Sequence, residues 1–158
     1  IMRWPNKIAP DQTITKIAST IDIYPTIAEI VGDEIKGYKN DGFSLMPILN
    51  GDEKSDPRKE LYYYYGEKLI AVRKEKWKLV FPHTYRSYEG VEPGKNLYPG
   101  PYNRGRSGLE LYDLINDIGE KKNVARLFPE IVQELELVGD VARLKLGDKL
   151  TDKIGIES

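Results

Sequence analysis

The chain has no cysteine and one histidine among its 158 residues, and it has only two methionines and three phenylalanines. The absence of cysteine excludes disulfides, thiolate metal sites and a cysteine nucleophile. Because His83 stands alone, a zinc site made of several histidines from one chain is excluded, and a Ser–His–Asp triad would have to use His83. No apolar run is long enough to cross a membrane, and the first five residues lack the charged start of a signal peptide.

The charged residues are nearly balanced, with 24 lysines and arginines against 25 aspartates and glutamates. They form no basic stripe, so binding to nucleic acid is not predicted. Asp52, Glu53 and Asp56 cluster without the spacing of a calcium loop, which favours a solvated acidic loop. Ser44 lies in a near-match to a nucleophile elbow that lacks the closing glycine. The sequence therefore predicts no catalytic residue and no metal site.

The N-terminal third is predicted to contain the end of a strand and one helix. Residues 1–4 have the pattern of a buried strand, which Pro5 would end because proline cannot donate to a sheet ladder. A helix is predicted over 23–31, with Asp22 as its N-cap and Gly32 just after its end. Its isoleucines form one apolar stripe. The chain begins within the predicted strand, as a piece of a longer protein would.

The rest of the chain predicts an α+β domain. A charged segment with Pro57 follows residue 51, so the predicted domains are 1–51 and 52–158. Aromatic and alternating apolar residues predict a small antiparallel sheet of about four strands, over 60–65, 69–73, 77–81 and 109–114. A long helix over 129–146 is predicted to cover one face of this sheet. Residues 82–108 are predicted to be an irregular loop, of a length that is usually functional or mobile.

Two segments carry residues that can bind a ligand. The run Tyr62–Tyr65 predicts two rings in the core and two facing outward, which favours core packing over a sugar-stacking platform. After the strand that ends at residue 81, the chain places His83, Tyr85 and Arg86 close together. Arg86 can pair with a sulfate or carboxylate, and His83 can donate to an anionic ligand. A plain surface loop is the alternative interpretation.

Several motifs resemble one known family. The segment 111–125 resembles the signature "LYDL-x-x-D-x-x-E-x-x-N-x-A" of arylsulfatase A-type sulfatases. Segments 2–8, 22–26, 41–51 and 71–79 resemble the motifs "R-W-P-G-K-I", "D-x-x-P-T", "D-G-x-S-L-x-P-x-L-x-G" and "A-V-R-x-x-x-W-K-L" of the same family, in the same order. Asn6 stands where glycine is common in the first of these. The motif residues are interpreted as strand, turn and cap residues.

The resemblance implies that the chain is the C-terminal part of a sulfatase of the alkaline phosphatase-like superfamily. Residues 1–51 would be the last strand and helix of a truncated α/β sulfatase domain, and 52–158 its C-terminal subdomain. The family's formylglycine nucleophile, made from Cys or Ser within "C-x-P-S-R", and its calcium site would lie upstream. This chain alone would then hold no cofactor and would have no sulfatase activity.

The resemblance also implies partners. These are the protein's own N-terminal catalytic domain and a sulfated small molecule or glycan, with His83, Tyr85 and Arg86 at the rim of the substrate cleft. Apolar surface within 1–50 would be exposed in the isolated chain and would favour self-association. Many family members are exported, which implies a periplasmic or secreted protein. The alternatives are a stand-alone carbohydrate-binding module and a plain interaction module.

Overall fold

The computed structural model describes residues 1–35, 37, 39–52 and 54–157, and it divides the chain into two compact units. The first unit is Ile1–Glu60 and the second is Leu61–Ser158. The assignment of 1–51 to a larger α/β domain and of 52–158 to a separate subdomain stays a prediction.

The first unit is built from two helices and loops. A short 3-10 turn, Thr20–Asp22, leads directly into α1, Ile23–Val31, and α2 follows at Met46–Leu49. Helix α1 has the predicted bounds, and Gly32 ends it in a left-handed conformation at φ 71°. The small core of this unit is formed by Leu45, Ile48 and Leu49 of the α2 segment, with Ile8 and Met46 packed against it.

Two details of the first unit differ from the predictions. Residues 1–4 form no strand here, because a strand needs a hydrogen-bonded neighbour and none in the described part of the chain pairs with them. A strand at 1–4 that pairs with a larger domain stays a prediction. Asp22 precedes α1 but does not cap it with its side chain. Its carboxylate instead accepts hydrogen bonds from the backbone amides of Ser19 and Phe43, at 2.7 and 2.9 Å. Through the Ser19 amide, Asp22 completes a capping box at the start of the 3-10 turn, and through the Phe43 amide it also joins this turn to a distant segment of the unit.

The apolar stripe of α1 is largely exposed, as predicted. Ile23, Ile27, Ile30 and Val31 keep between 42% and 68% of their accessible surface. Ile23, Ile27 and Ile30 also line a groove in this unit together with Met2 and Trp4. A contiguous apolar surface of this kind is typical of a face that packs against another structure.

The second unit contains the predicted four-stranded antiparallel sheet and long helix. Its strands are β1 (Glu60–Tyr65), β2 (Lys68–Lys74), β3 (Trp77–Val80) and β6 (Glu110–Asp113), in the spatial order β1-β2-β3-β6. Helix α3 spans Pro129–Leu146 and packs on β2 and β3. The predicted bounds of the strands differ from the observed ones by one residue at most, and those of α3 agree with the prediction.

The main core lies between this sheet and α3. The register aligns Val72 with Leu79 and Leu79 with Leu111, so that three fully buried side chains form a row across β2, β3 and β6. Leu135 and Ala142 of α3 are equally buried in the same cluster. Each buried leucine contributes about 1.5–3 kcal/mol relative to an exposed one. Within the described part of the chain, no helix has both the length and the apolarity that crossing a membrane requires.

The tyrosine run in β1 follows the favoured interpretation. Tyr62 and Tyr64 pack against the main core, while Tyr63 packs against a smaller cluster of Ala71, Val80 and Tyr112. Tyr65 is exposed. Core packing therefore occupies three of the four rings, and the run provides no continuous platform for stacking sugars.

The predicted irregular loop 82–108 contains two strands instead. Strands β4 (His83–Ser87) and β5 (Asn103–Ser107) pair with each other as an antiparallel ribbon. The sequence did not indicate them because both strands are short and polar. Neither shows the alternation of apolar and polar residues that marks a half-buried strand. Their pairing is stabilised by the backbone ladder, which carries little signature in side-chain pattern.

Candidate functional site

The ribbon β4–β5 carries all three residues that the sequence singled out. Its register aligns His83 with Ser107, Tyr85 with Gly105 and Arg86 with Arg104. Because successive side chains of a strand point to opposite faces, His83 and Tyr85 lie on one face and Arg86 lies on the other. The structure therefore brings together two of the three predicted residues and separates them from the third.

His83 is held by the backbone just before the ribbon. Its Nδ1 lies 2.7 Å from the carbonyl oxygen of Phe81. A carbonyl only accepts hydrogen bonds, so Nδ1 carries the proton and donates it. This leaves Nε2 as the ring nitrogen that is available to a ligand, as an acceptor in the neutral ring or a donor in the protonated one.

The ring of Tyr85 completes the same face of the ribbon. It lies 6.0 Å from the ring of His83 between centroids, with the planes tilted by 51°. It also covers Gly105 so closely that a Cβ at that position would lie 2.5 Å from the ring. Gly105 is therefore the residue that lets the phenol ring lie flat across the strand, with 48% of Tyr85 still exposed.

The opposite face of the ribbon is cationic. The guanidinium of Arg86 lies 4.8 Å above the ring of Tyr102, which in turn contacts Tyr88 edge-on at 6.5 Å. Arg104 and Arg106 join Arg86 on this face, and all three arginines are exposed. Sequence reasoning missed Arg104 and Arg106, although the pattern Arg-Gly-Arg at 104–106 already places two guanidinium groups on one side of any strand.

The signature segment forms a hydrogen-bonded corner between β6 and α3. Asp113 accepts from the amides of Ile115 and Asn116, and Asp117 accepts from those of Lys121 and Lys122 at 2.8 and 2.7 Å. A hydrogen bond from Lys76, at 2.9 Å, is the main cause that lowers the pKa of Asp113 to about 2.

Asn123 closes this corner. Its Oδ1 accepts from the amides of Leu111 and Ala125, and its Nδ2 donates to the carbonyl of Leu109. Like Asp113 and Asp117, it accepts hydrogen bonds from backbone amides, and Asp113 also accepts from the side chains of Lys76 and Asn116. These contacts hold the corner, which agrees with the interpretation of these side chains as turn and cap residues.

Metal-ligating side chains do not cluster in the described part of the chain. The residues the structure describes contain no group of three or more histidine, cysteine, aspartate or glutamate side chains that is arranged to hold an ion. Of the acidic cluster considered from sequence, Glu53 lies outside the described residues. The described residues therefore offer calcium no cluster of carboxylate ligands, and with no cysteine in the chain a formylglycine here would have to come from serine.

Comparison with known families gives two overlapping matches. The family model for the C-terminal region of aryl-sulfatase matches residues 56–150, and the one for the C-terminal part of N-sulphoglucosamine sulphohydrolase matches residues 1–93. Each covers more than half of the chain. Together they extend from the exposed helix of the first unit through the sheet, ribbon and long helix of the second.

Individual relatives agree with these matches. Human arylsulfatase A is 33% identical over 142 residues, which are 84% of this chain and 28% of that protein. Mouse steryl-sulfatase is 30% identical over 132 residues, which are 77% of this chain and 21% of that protein.

A solved structure from a study of glycosaminoglycan metabolism by Bacteroides thetaiotaomicron is 27% identical. It has a TM-score of 0.54 and covers 88% of this chain and 28% of that one. The chain thus spans less than a third of the length of each of these relatives. By its family matches, this chain belongs to the sulfatases and corresponds to the C-terminal region of their fold.

Proposed function

We propose that the full-length protein containing this chain is a sulfuric ester hydrolase, and that this chain is its C-terminal subdomain with the adjoining end of the large α/β domain. The observation that carries the proposal is the pair of family matches, which together run from residue 1 to residue 150. In this proposal, the formylglycine nucleophile and the calcium ion of the family lie upstream of this chain. There the formylglycine would attack sulfur, and the calcium ion would stabilise the charge on the transferring group.

The chain alone is proposed to be inactive. Hydrolysis of a sulfate ester needs a nucleophile and groups that stabilise negative charge. In the signature corner, Asp117 and Asn123 are bonded to the backbone. His83 and Arg86, which remain available, lie on opposite faces of the ribbon.

The exposed stripe of α1 is proposed to pack against the protein's own catalytic domain. Ile23, Ile27 and Ile30 keep 42–52% of their surface exposed on one helix face. The same apolar surface would drive self-association of the isolated chain. Co-expression with the upstream domain should therefore abolish any concentration-dependent oligomer seen by light scattering.

The ribbon is proposed to contribute to the rim of the substrate cleft through His83, Tyr85 and Arg86. The available Nε2 of His83 and the exposed phenol of Tyr85 suit a sugar or aryl group that carries an anion. The names of the relatives support a sulfated small molecule or a sulfated glycan as the substrate.

Two measurements test the proposal. The full-length protein should hydrolyse an aryl sulfate or sulfated glycan, whereas the purified 158-residue chain should not. Turnover by the chain alone at a rate comparable to that of the full-length protein would contradict it. Failure of the full-length protein on all sulfate esters, together with glycan binding by the chain, would favour the stand-alone carbohydrate-binding module instead.

The rim residues are tested in the full-length enzyme. The triple substitution His83→Ala, Tyr85→Phe and Arg86→Gln should lower kcat/KM by at least about tenfold, since a lost hydrogen bond to a charged group costs about 1.5–3 kcal/mol. The control is Glu130→Gln with Glu136→Gln, which changes exposed side chains of α3. An unchanged kcat/KM in the triple variant would exclude a role for these residues in substrate binding.

A further inference from the structure

The cationic face of the ribbon concentrates three guanidinium groups in a small area. Arg86 and Arg104 are direct cross-strand partners, and Arg106 lies two residues further along β5, opposite Thr84. Alternate residues of a strand are about 6.8 Å apart, and direct cross-strand partners are about 5 Å apart at Cβ. The three arginines therefore lie within the reach of one or two anionic groups of a single ligand.

No described ion pair neutralises these charges, since none joins Arg86, Arg104 or Arg106 to a carboxylate. Like charges directly opposite each other on a sheet face destabilise the pairing, and a ribbon of two strands is already marginal by itself. The repulsion between these arginines thus weakens the ribbon, whereas an anion on the face would relieve it.

Aromatic side chains complete the face. Tyr102 lies under the guanidinium of Arg86 at 4.8 Å, and such stacking fixes the plane of the group while leaving its N–H edges free. Tyr88 lies against Tyr102 at 6.5 Å, and both rings are about half exposed. A flat ring beside a fixed guanidinium suits a sugar that carries a sulfate. The aromatic ring packs against the apolar face of the sugar, and the N–H groups of the guanidinium bind the sulfate.

We propose that the face formed by Arg86, Arg104 and Arg106, with Tyr102 beside it, binds a sulfated polysaccharide on the side of the ribbon opposite to His83 and Tyr85. Arg86 is then shared between this face and the proposed rim of the substrate cleft. The choice of sulfate as the anion rests on the proposed sulfatase function, whereas the existence of an anion site rests on the ribbon alone. Nucleic acid is disfavoured because the cationic footprint is limited to three side chains in a chain with a net charge of −1. In the full-length protein, such a face would hold a polymer on the enzyme beyond the sugar that reacts.

The test measures binding of the 158-residue chain to heparin by calorimetry at physiological salt. The triple substitution Arg86→Gln, Arg104→Gln and Arg106→Gln should weaken binding by at least about tenfold, which corresponds to about 1.4 kcal/mol. Arg→Lys at the same three positions keeps the charge but loses the bidentate fork, and it should give an intermediate loss. Circular dichroism of each variant establishes that the fold is retained.

The matched control removes three other exposed cations from the same unit, by Lys121→Gln, Lys122→Gln and Arg126→Gln. This variant should bind heparin within about twofold of the unaltered chain, since these three cations belong to neither strand of the ribbon. An equal loss in both triple variants would mean diffuse attraction and would overturn the proposal. So would an absence of heparin binding by the unaltered chain.

Two further ligands identify the anion. Chemically desulfated heparin should bind at least about tenfold more weakly than heparin, because the guanidinium forks lose their sulfate partners. The second ligand is single-stranded oligothymidylate. If it binds the unaltered chain as tightly as heparin does, and the Arg→Gln variant loses this binding, the face is assigned to nucleic acid instead.

The two proposals fail separately. If the full-length protein hydrolyses sulfate esters but the chain binds no heparin, only the polysaccharide site is wrong. If the chain binds heparin through the three arginines but the full-length protein hydrolyses no sulfate ester, only the proposed activity is wrong.

Discussion

Arg58 and Asp22 form a buried, two-pronged ion pair that connects segments 36 residues apart within the first unit. The Nε of Arg58 donates to one carboxylate oxygen at 3.1 Å, and its terminal nitrogen donates to the other. The guanidinium also donates to the carbonyl of Asp41 and lies 5.0 Å over the ring of Phe43. With the amides of Ser19 and Phe43 on the same carboxylate, this pair joins the loops on both sides of α1.

Substitution of Arg58 is expected to destabilise the first unit strongly. Arg58→Ala leaves the fully buried carboxylate of Asp22 without its counter-ion, and breaking such a pair costs about 3–5 kcal/mol. Urea unfolding measures the change, with Trp4 as the only tryptophan in a Trp77→Phe background. Trp4 lies in the first unit, so its fluorescence reports that unit alone.

Arg58→Lys separates charge from geometry in the same experiment. Lysine keeps the positive charge but cannot form the fork, so it should recover only part of the lost free energy. A free energy of unfolding for Arg58→Ala within about 1 kcal/mol of the unaltered chain would show that the pair contributes no more than an exposed one.

The stability of the first unit should fall in acid. Burial alone would raise the pKa of Asp22, but hydrogen bonds from Arg58, Phe43 and Ser19 outweigh it and hold the pKa below the ordinary value of 3.8. A group with a lowered folded-state pKa stabilises the fold above its unfolded-state pKa and loses this effect as the pH falls through the folded-state value. The free energy of unfolding should therefore decline below about pH 4.

The same titration in Arg58→Gln provides the comparison. Without the guanidinium, the pKa of Asp22 loses its main lowering contact, so the acid-dependent decline should be smaller than in the unaltered chain. A decline of equal size in both proteins would assign the acid sensitivity to other carboxylates.

The sequence was sufficient to predict the strands and the helix that bury one face in the main core. Strands β2 and β3 are rich in apolar residues that pack against α3, and the apolar residues of α3 recur with the 3.6-residue period of a helix. Both patterns can be read from the sequence. For Asp22 the sequence indicated only the local role at a helix start, where its side chain accepts from Ser19. Its other partners, Phe43 and Arg58, are 21 and 36 residues away, and no local pattern encodes such a pairing.

Gly139 should mark the closest approach of α3 to the sheet-side core. A Cβ at this position would lie 2.5 Å from the ring of Phe81, which is only 5% exposed and cannot move into solvent. Gly139→Ala gains about 1 kcal/mol of helix propensity, but overpacking costs about 1–3 kcal/mol, so the net effect should be destabilising. Thermal unfolding in a Trp4→Phe background follows the second unit through Trp77.

The partner substitution Phe81→Leu tests the cause. In that background the smaller side chain leaves room for the new methyl group, so Gly139→Ala should become neutral or stabilising. If Gly139→Ala costs the same in the Phe81→Leu background as it does with Phe81 in place, the contact with the ring is not the source of the effect.

The candidate site was predictable in composition but not in arrangement. His83, Tyr85 and Arg86 were identified because they group ionisable and aromatic side chains after a strand. Their division between two faces depends on β4 being a strand, and β4 exists only through its pairing with the polar β5. Arg104 and Arg106 join the site for the same reason, at a sequence distance that no motif spans.

Gly105→Ala should alter the His83–Tyr85 face while leaving the ribbon paired. The new methyl group would lie 2.5 Å from the ring of Tyr85, and this ring is 48% exposed, so it can swing away from the strand. NMR should therefore show changed ring resonances for Tyr85 and His83, with amide exchange in β4 retained. Gly108→Ala is the control, because a Cβ there meets no atom within 4 Å. Unchanged ring resonances in Gly105→Ala would mean that Tyr85 does not rest on the glycine in solution.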